Sequence, residues 1–108
     1  MARNARRYDI YLPLTYNHGG PVEDEKFNSL EMDLLAHFQG LTTQQRDFPL
    51  RGIWQGETQL YLDQVIVMTV LDFRPQGSTR FVTQRKKRLL RGFQQLELFI
   101  TEASMRVF

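Results

Sequence analysis

Leu60-Tyr61-Leu62-Asp63-Gln64-Val65-Ile66-Val67-Met68-Thr69-Val70-Leu71-Asp72-Phe73 is the longest apolar alternation in the chain. At period two, Leu60, Leu62, Ile66, Met68 and Val70 fall on one side, and Val65, Val67, Leu71 and Phe73 on the other. A strand with one face in water alternates apolar with polar, so two apolar sides call for cover on both. This stretch predicts a long strand with its own chain on one face and a second surface on the other.

Toward the N-terminus, Tyr8, Ile10, Leu12 and Leu14 alternate with Asp9, Tyr11 and Pro13, which predicts a first strand with one well-buried face. The turn formers of Thr15 to Pro21 follow. Glu23, Asp24 and Glu25 then place negative charge where a helix leaves its first N–H groups unpaired, and Phe27, Leu30, Leu34 and Phe38 recur at helical spacing. Gly40 stands where a left-handed C-terminal cap is expected. A second strand starts near Leu41, passes through the polar Thr43, Gln45, Asp47 and Pro49, and resumes at Gly52-Ile53-Trp54; proline and polarity suit a bent edge strand. Beyond Phe73, the loop Arg74 to Ser78 leads to a helix capped by Ser78 or Thr79 and carrying Val82, Leu89 and Phe93, with Gly92 weakening its last turn. Leu96, Leu98 and Ile100 predict the last strand, and Met105, Val107 and Phe108 an apolar tail that needs a surface to pack on.

The order is βαββαβ in a single domain spanning residues 1–108. Two right-handed crossovers through helices predict an α+β, ferredoxin-like plait: a four-stranded antiparallel sheet in order 4-1-3-2 with both helices on one face. The length suits one core, and a hydrophobic fraction of 42% suffices to fill it. Fourteen Lys and Arg against twelve Asp and Glu leave a net charge of only +2, which makes whole-molecule steering toward nucleic acid or anionic lipid weak. The absence of cysteine excludes disulfides, thiolate metal sites and a thiol nucleophile. Arg3, Arg6 and Arg7 precede no apolar signal-peptide core and no long apolar run follows, so the expected location is the cytoplasm, with no membrane contact.

If both helices cover one face, the other is open. Tyr11, Val65, Val67, Leu71 and Phe99 are out of phase with the core and meet there, forming an apolar patch of the kind that marks association. Either the C-terminal tail folds back over it or a second copy covers it; the two-sided third strand favours the second copy, and so a homo-oligomer.

No catalytic or metal-ligand spacing stands out. The two histidines differ: His18, in a Gly-rich loop, reads as solvated, whereas His37 flanks the apolar stripe of the first helix and reads as partly buried and structural. Asp9 and Asp63 would form a carboxylate pair if neighbouring strands brought them together; the simpler reading is two carboxylates facing water. The second helix concentrates positive charge, with Arg80, Lys87 and Arg91 on an outward stripe that would suit phosphates. An RNA-binding sheet normally adds stacked aromatics, and the third strand has Val65 and Val67 in their place.

Gly40-Leu41-Thr42, followed by Gly52-Ile53-Trp54 and then the long hydrophobic strand, resembles the strand-two to strand-three region of the PII-like and CutA-like trimeric sensor proteins. That resemblance implies a non-enzymatic, ligand-responsive regulator with a mobile loop between Gln44 and Gln59 and a ligand cleft between subunits. It would place Gly40 and Thr42 at the cleft, Trp54 on its wall, and Arg51 and Arg91 facing an anion. The expectation is therefore a homo-oligomeric regulatory protein that binds a small anionic ligand or a protein partner, with no cofactor or metal indicated. The alternative is a nucleic-acid-binding protein, or a nucleic-acid-associated enzyme, using the basic face of the second helix.

Overall fold

A computed structural model describes all residues 1–108. Its centre is the stretch just quoted: β4 (Leu60–Asp72) follows β1 (Arg3–Pro13), α1 (Asp24–Phe38), β2 (Thr42–Thr43) and β3 (Leu50–Gln55), and precedes α2 (Thr79–Gly92) and β5 (Ile100–Val107). On one side β4 pairs with β1, from Arg6↔Asp72 to Pro13↔Val65. On the other it carries β3 along its first half, Gln55↔Leu60 to Leu50↔Val65, and β2 near its end, Thr43↔Met68 and Thr42↔Thr69. β5 closes the far side of β1, from Ile10↔Ile100 to Arg3↔Val107. The α+β class is as expected, and every strand pairing is antiparallel.

The sheet has five strands in place of the expected four, in the order β2-β4-β1-β5 with β3 also on β4. Expected as one bent edge strand, residues 41–55 form two strands, because Pro49 has no N–H to donate and the chain turns where Phe48 N–H bonds Gln45 C=O at 3.1 Å. Gln44 bridges the gap, its side-chain oxygen accepting the Val67 N–H at 3.0 Å and its own N–H meeting Val67 C=O at 3.3 Å. Arg46 ties the crossing segment to α1 through Asp24 at 3.3 Å and Glu31 at 3.7 Å. Within the segment expected as a mobile loop, Leu50–Gln55 is therefore strand β3.

Three boundaries also move. Gln39, with φ 67°, takes the left-handed cap of α1 in place of Gly40, and its N–H reaches Leu35 C=O at 2.8 Å. β1 starts at Arg3, five residues before the alternation is visible. The last strand begins at Ile100 and consumes most of the expected tail, because Gln94 turns left-handed (φ 54°) and the Glu97 carboxylate takes the Leu98 N–H at 2.9 Å, keeping residues 96–98 out of the ladder.

Tyr8, Ile10 and Leu12 of β1 and Ile66, Met68 and Val70 of β4 share one face and form a single core with Phe27, Leu30 and Leu34 of α1 and Leu89 and Phe93 at the end of α2. Both helices thus cover the same side of the sheet. Burying each such side chain contributes about 2 kcal/mol relative to leaving it in water. Phe27 and Phe93 meet edge-to-face at 5.4 Å, and Arg85 of α2 grips Asp33 of α1 through two bonds, the longer 3.1 Å. Lys26 caps the C-terminus of α2 by donating to the Gly92 carbonyl, where the helix dipole favours a cation.

Candidate ligand-binding site

The face away from the helices gathers the residues expected there. Tyr11 pairs directly with Val67, Val65 stands opposite Pro13, Leu71 opposite Arg7, and the Tyr11 N–H bonds Phe99 C=O at 3.0 Å. The C-terminal residues leave this patch open: β5 lies edge-on beside β1, and Phe99 stays 48% exposed. The patch runs on along the β3–β4 hairpin, where Trp54 faces Tyr61 and its ring lies 5.3 Å from that of Phe99. On the hairpin's other side Ile53 and Leu62 pair beyond the reach of either helix, at 53% and 64% exposure. The hairpin is apolar on both sides and covered on neither.

The five residues expected around a ligand do not converge. Gly40 and Thr42 line a cleft of about 410 Å³ on the open face with Arg7, Thr69, Leu71 and Met105. Trp54 belongs to a different hollow of about 320 Å³, with Tyr11, Val65 and Phe99. Arg51, opposite Gln64, lies on the helix side of the hairpin, and Arg91 is in the last turn of α2. Asp9 and Asp63 do not meet either: the register puts Thr69 opposite Asp9 and Gly52 opposite Asp63. Asp9 is held instead by the Thr69 hydroxyl at 2.6 Å and Arg7 at 2.9 Å. On α2, Arg80, Lys87 and Arg91 are exposed, while Arg85 and Lys86 are engaged by Asp33 and Glu97.

A third cavity, of about 670 Å³, was not anticipated. It lies on the helix side of the sheet at the end where β1 starts and β4 and β5 run out, and Arg6, Arg74 and Arg106 line it. The register explains their convergence. Asp72, Arg6 and Ser104 stand side by side across β4, β1 and β5, and Asn4 with Arg106 forms the next row outward. Even-numbered positions of β1 bury Tyr8, Ile10 and Leu12 under the helices; beyond the helices the same face continues with Arg6 and Asn4. None of these arginines is near another in sequence, so only the pairing register reveals the cluster.

Asp72 anchors the inner wall. Its carboxylate accepts from the Arg74 backbone N–H at 3.1 Å and from Arg74 Nε at 2.9 Å, while its second oxygen is buried without a partner. Burial pushes this carboxyl up, but the Arg74 guanidinium and backbone N–H outweigh it and hold it below the usual range. Nη2 of Arg74 reaches both Ser78 Oγ and, at 2.6 Å, His37 Nε2. A guanidinium only donates, so His37 Nε2 accepts and its proton sits on Nδ1. Burial, then the neighbouring Arg74 charge, lower the pKa of His37, whose ring stacks on Phe81 at 3.6 Å. Ser78 begins α2 without a capping bond from its side chain, because its hydroxyl serves this network. The His37 to Ser78 distance of 3.1 Å has the look of a nucleophile and base, but Ser78 is buried and Arg74 already occupies Nε2.

Arg6 is fixed from the other side, its Nη1 donating to Thr79 Oγ1 at 3.2 Å and to Glu102 at 3.4 Å. Gly77 makes room for it: φ is 71°, and a Cβ there would come within 2.7 Å of that nitrogen. Arg106 has no carboxylate partner and lies over the Phe108 ring at 5.2 Å.

No protein-family model matches the chain, and no curated protein matches it. No helix is long and apolar enough to cross a membrane.

Proposed function

We propose that the chain is a non-enzymatic, homo-oligomeric regulatory protein of the cytoplasm that binds a small anionic ligand or a protein partner. The observation that carries the reading is the apolar face that runs from half-buried Val67, Tyr11 and Leu71 out to exposed Phe99 and the two-sided, exposed β3–β4 hairpin. An apolar surface of this continuity favours association, and the second half of β4, apolar on both sides, already has one side filled by its own core. The resemblance to PII-like and CutA-like sensors supports the regulatory class and adds an expectation of clefts between subunits. The cleft at Gly40 and Thr42 opens on that same face, so an associating copy would complete its wall.

Sedimentation at micromolar concentration tests this. Wild-type protein is expected to sediment as an oligomer and a Val67→Asp variant as a monomer or an insoluble species, since a charge buried without a partner is costly at such a surface. A wild-type monomer under those conditions would count against the reading.

A further inference from the structure

We infer that the cavity between Arg6, Arg74 and Arg106 is a site for a small oxyanion ligand, a phosphate- or carboxylate-bearing metabolite. The inference deepens the ligand-binding half of the proposed function and does not depend on how copies associate. Three arginines line one cavity of about 670 Å³ together with Asn4 and Ser104, two residues that offer neutral hydrogen-bonding groups. A planar guanidinium fork matches a carboxylate or phosphate edge, and ordered arginines lose less freedom on binding than free ones.

Two of the three arginines are held before any ligand arrives. Arg74 is bound through Nε and Nη2, which leaves Nη1 to spare, and Arg6 through Nη1, which leaves Nε and Nη2. Arg106 keeps its whole donor set. Asp72 and Glu102 offset the charge of Arg74 and Arg6, so Arg106 carries the surplus positive charge. A larger neutralising load would close the site to anions; here the two carboxylates are spent on positioning. Gly77 is part of the same construction, because any Cβ there would displace the Arg6 head.

The test is calorimetric titration of the full chain with inorganic pyrophosphate and, in a separate arm, with citrate. Saturable binding of either probe is expected, and which one binds distinguishes a phosphoryl from a carboxylate preference. Arg106→Gln and Arg6→Gln should each weaken it about tenfold or more, the usual effect of losing one charge-assisted bond. Arg51→Gln, which removes the same charge elsewhere, should leave it unchanged. Gly77→Ala should weaken binding with no change in charge, which separates a built site from general attraction. If Arg6→Gln fails to fold, exposed Arg106 still decides the matter. Absence of saturation by both probes at millimolar concentration, or wild-type binding by Arg106→Gln, would overturn the inference. Sedimentation of the same variants reports separately on association.

Discussion

Asp72 is the residue most dependent on its neighbours, nearly fully buried yet charged, and its bonds to Arg74 define the turn between β4 and α2. Asp72→Ala should reduce stability by about 2 kcal/mol in urea unfolding, because it leaves the Arg74 backbone N–H and Nε without their partner at once. Wild-type stability in that variant would mean the network is ornamental. His37 yields a pH prediction. Its pKa is lowered from 6.5, so below that value the unfolded chain takes up a proton that the folded chain resists. Stability should therefore be level above pH 6.5 and decline as pH falls toward the lowered folded value. Glu23 (held down by the Tyr16 hydroxyl), Asp72 and Glu97 (by Lys86) are all lowered, so their contributions persist until pH falls below 4.5 and 3.8, their ordinary values. The window from neutrality to about pH 5 thus isolates the histidine. A thermal melt series should show the decline in wild type and a flatter profile in His37→Gln; parallel profiles would refute the assignment. The sequence places His37 beside the apolar stripe and so anticipates partial burial. It cannot anticipate Arg74, which comes from a loop 37 positions away.

Among elements, β4 is legible because apolar residues alternate on both sides through its length. β5 is not, because Thr101-Glu102-Ala103-Ser104 has no apolar side to announce it; an edge strand is fixed by the ladder of its neighbour. The division of β2 from β3 is half legible, since Pro49 signals a break without saying that both pieces return to the same partner. The β3–β4 hairpin carries the sole tryptophan, Trp54, 42% exposed in one copy. If the hairpin is buried on association, Trp54 fluorescence should shift to the blue at assembling concentrations and revert in Val67→Asp; emission independent of concentration and variant would separate the hairpin from any interface. The outward stripe of α2 calls for the opposite outcome. With net charge +2 and valines where stacking aromatics would stand, no appreciable binding of a mixed oligonucleotide pool is expected at physiological salt. Clear retention that is lost when Arg80, Lys87 and Arg91 are all changed to Gln would promote the nucleic-acid reading.

At the scale of the whole molecule, the radius of gyration is 14.8 Å, above the roughly 13 Å of a compact chain near this length, and the extents are 48 × 29 × 26 Å. The β3–β4 hairpin leaves Ile53, Leu60 and Leu62 exposed, and an apolar arm of this kind is what a single copy would be expected to bury. The α+β class is legible from periodicity and turn chemistry, whereas the fifth strand is not. The cavity of three arginines is not, because it rests on register, which one chain's composition leaves undetermined. That register also links the two ends of the chain: Arg3 pairs with Val107, and β1 finds its inner partner only at Arg6↔Asp72. During synthesis, then, the first strand emerges with no neighbour to pair with until most of the sequence has followed it. Closing such wide loops is entropically slow, so refolding in the millisecond-to-second range is expected, with the nascent strand open to chaperones and to mispairing while it waits.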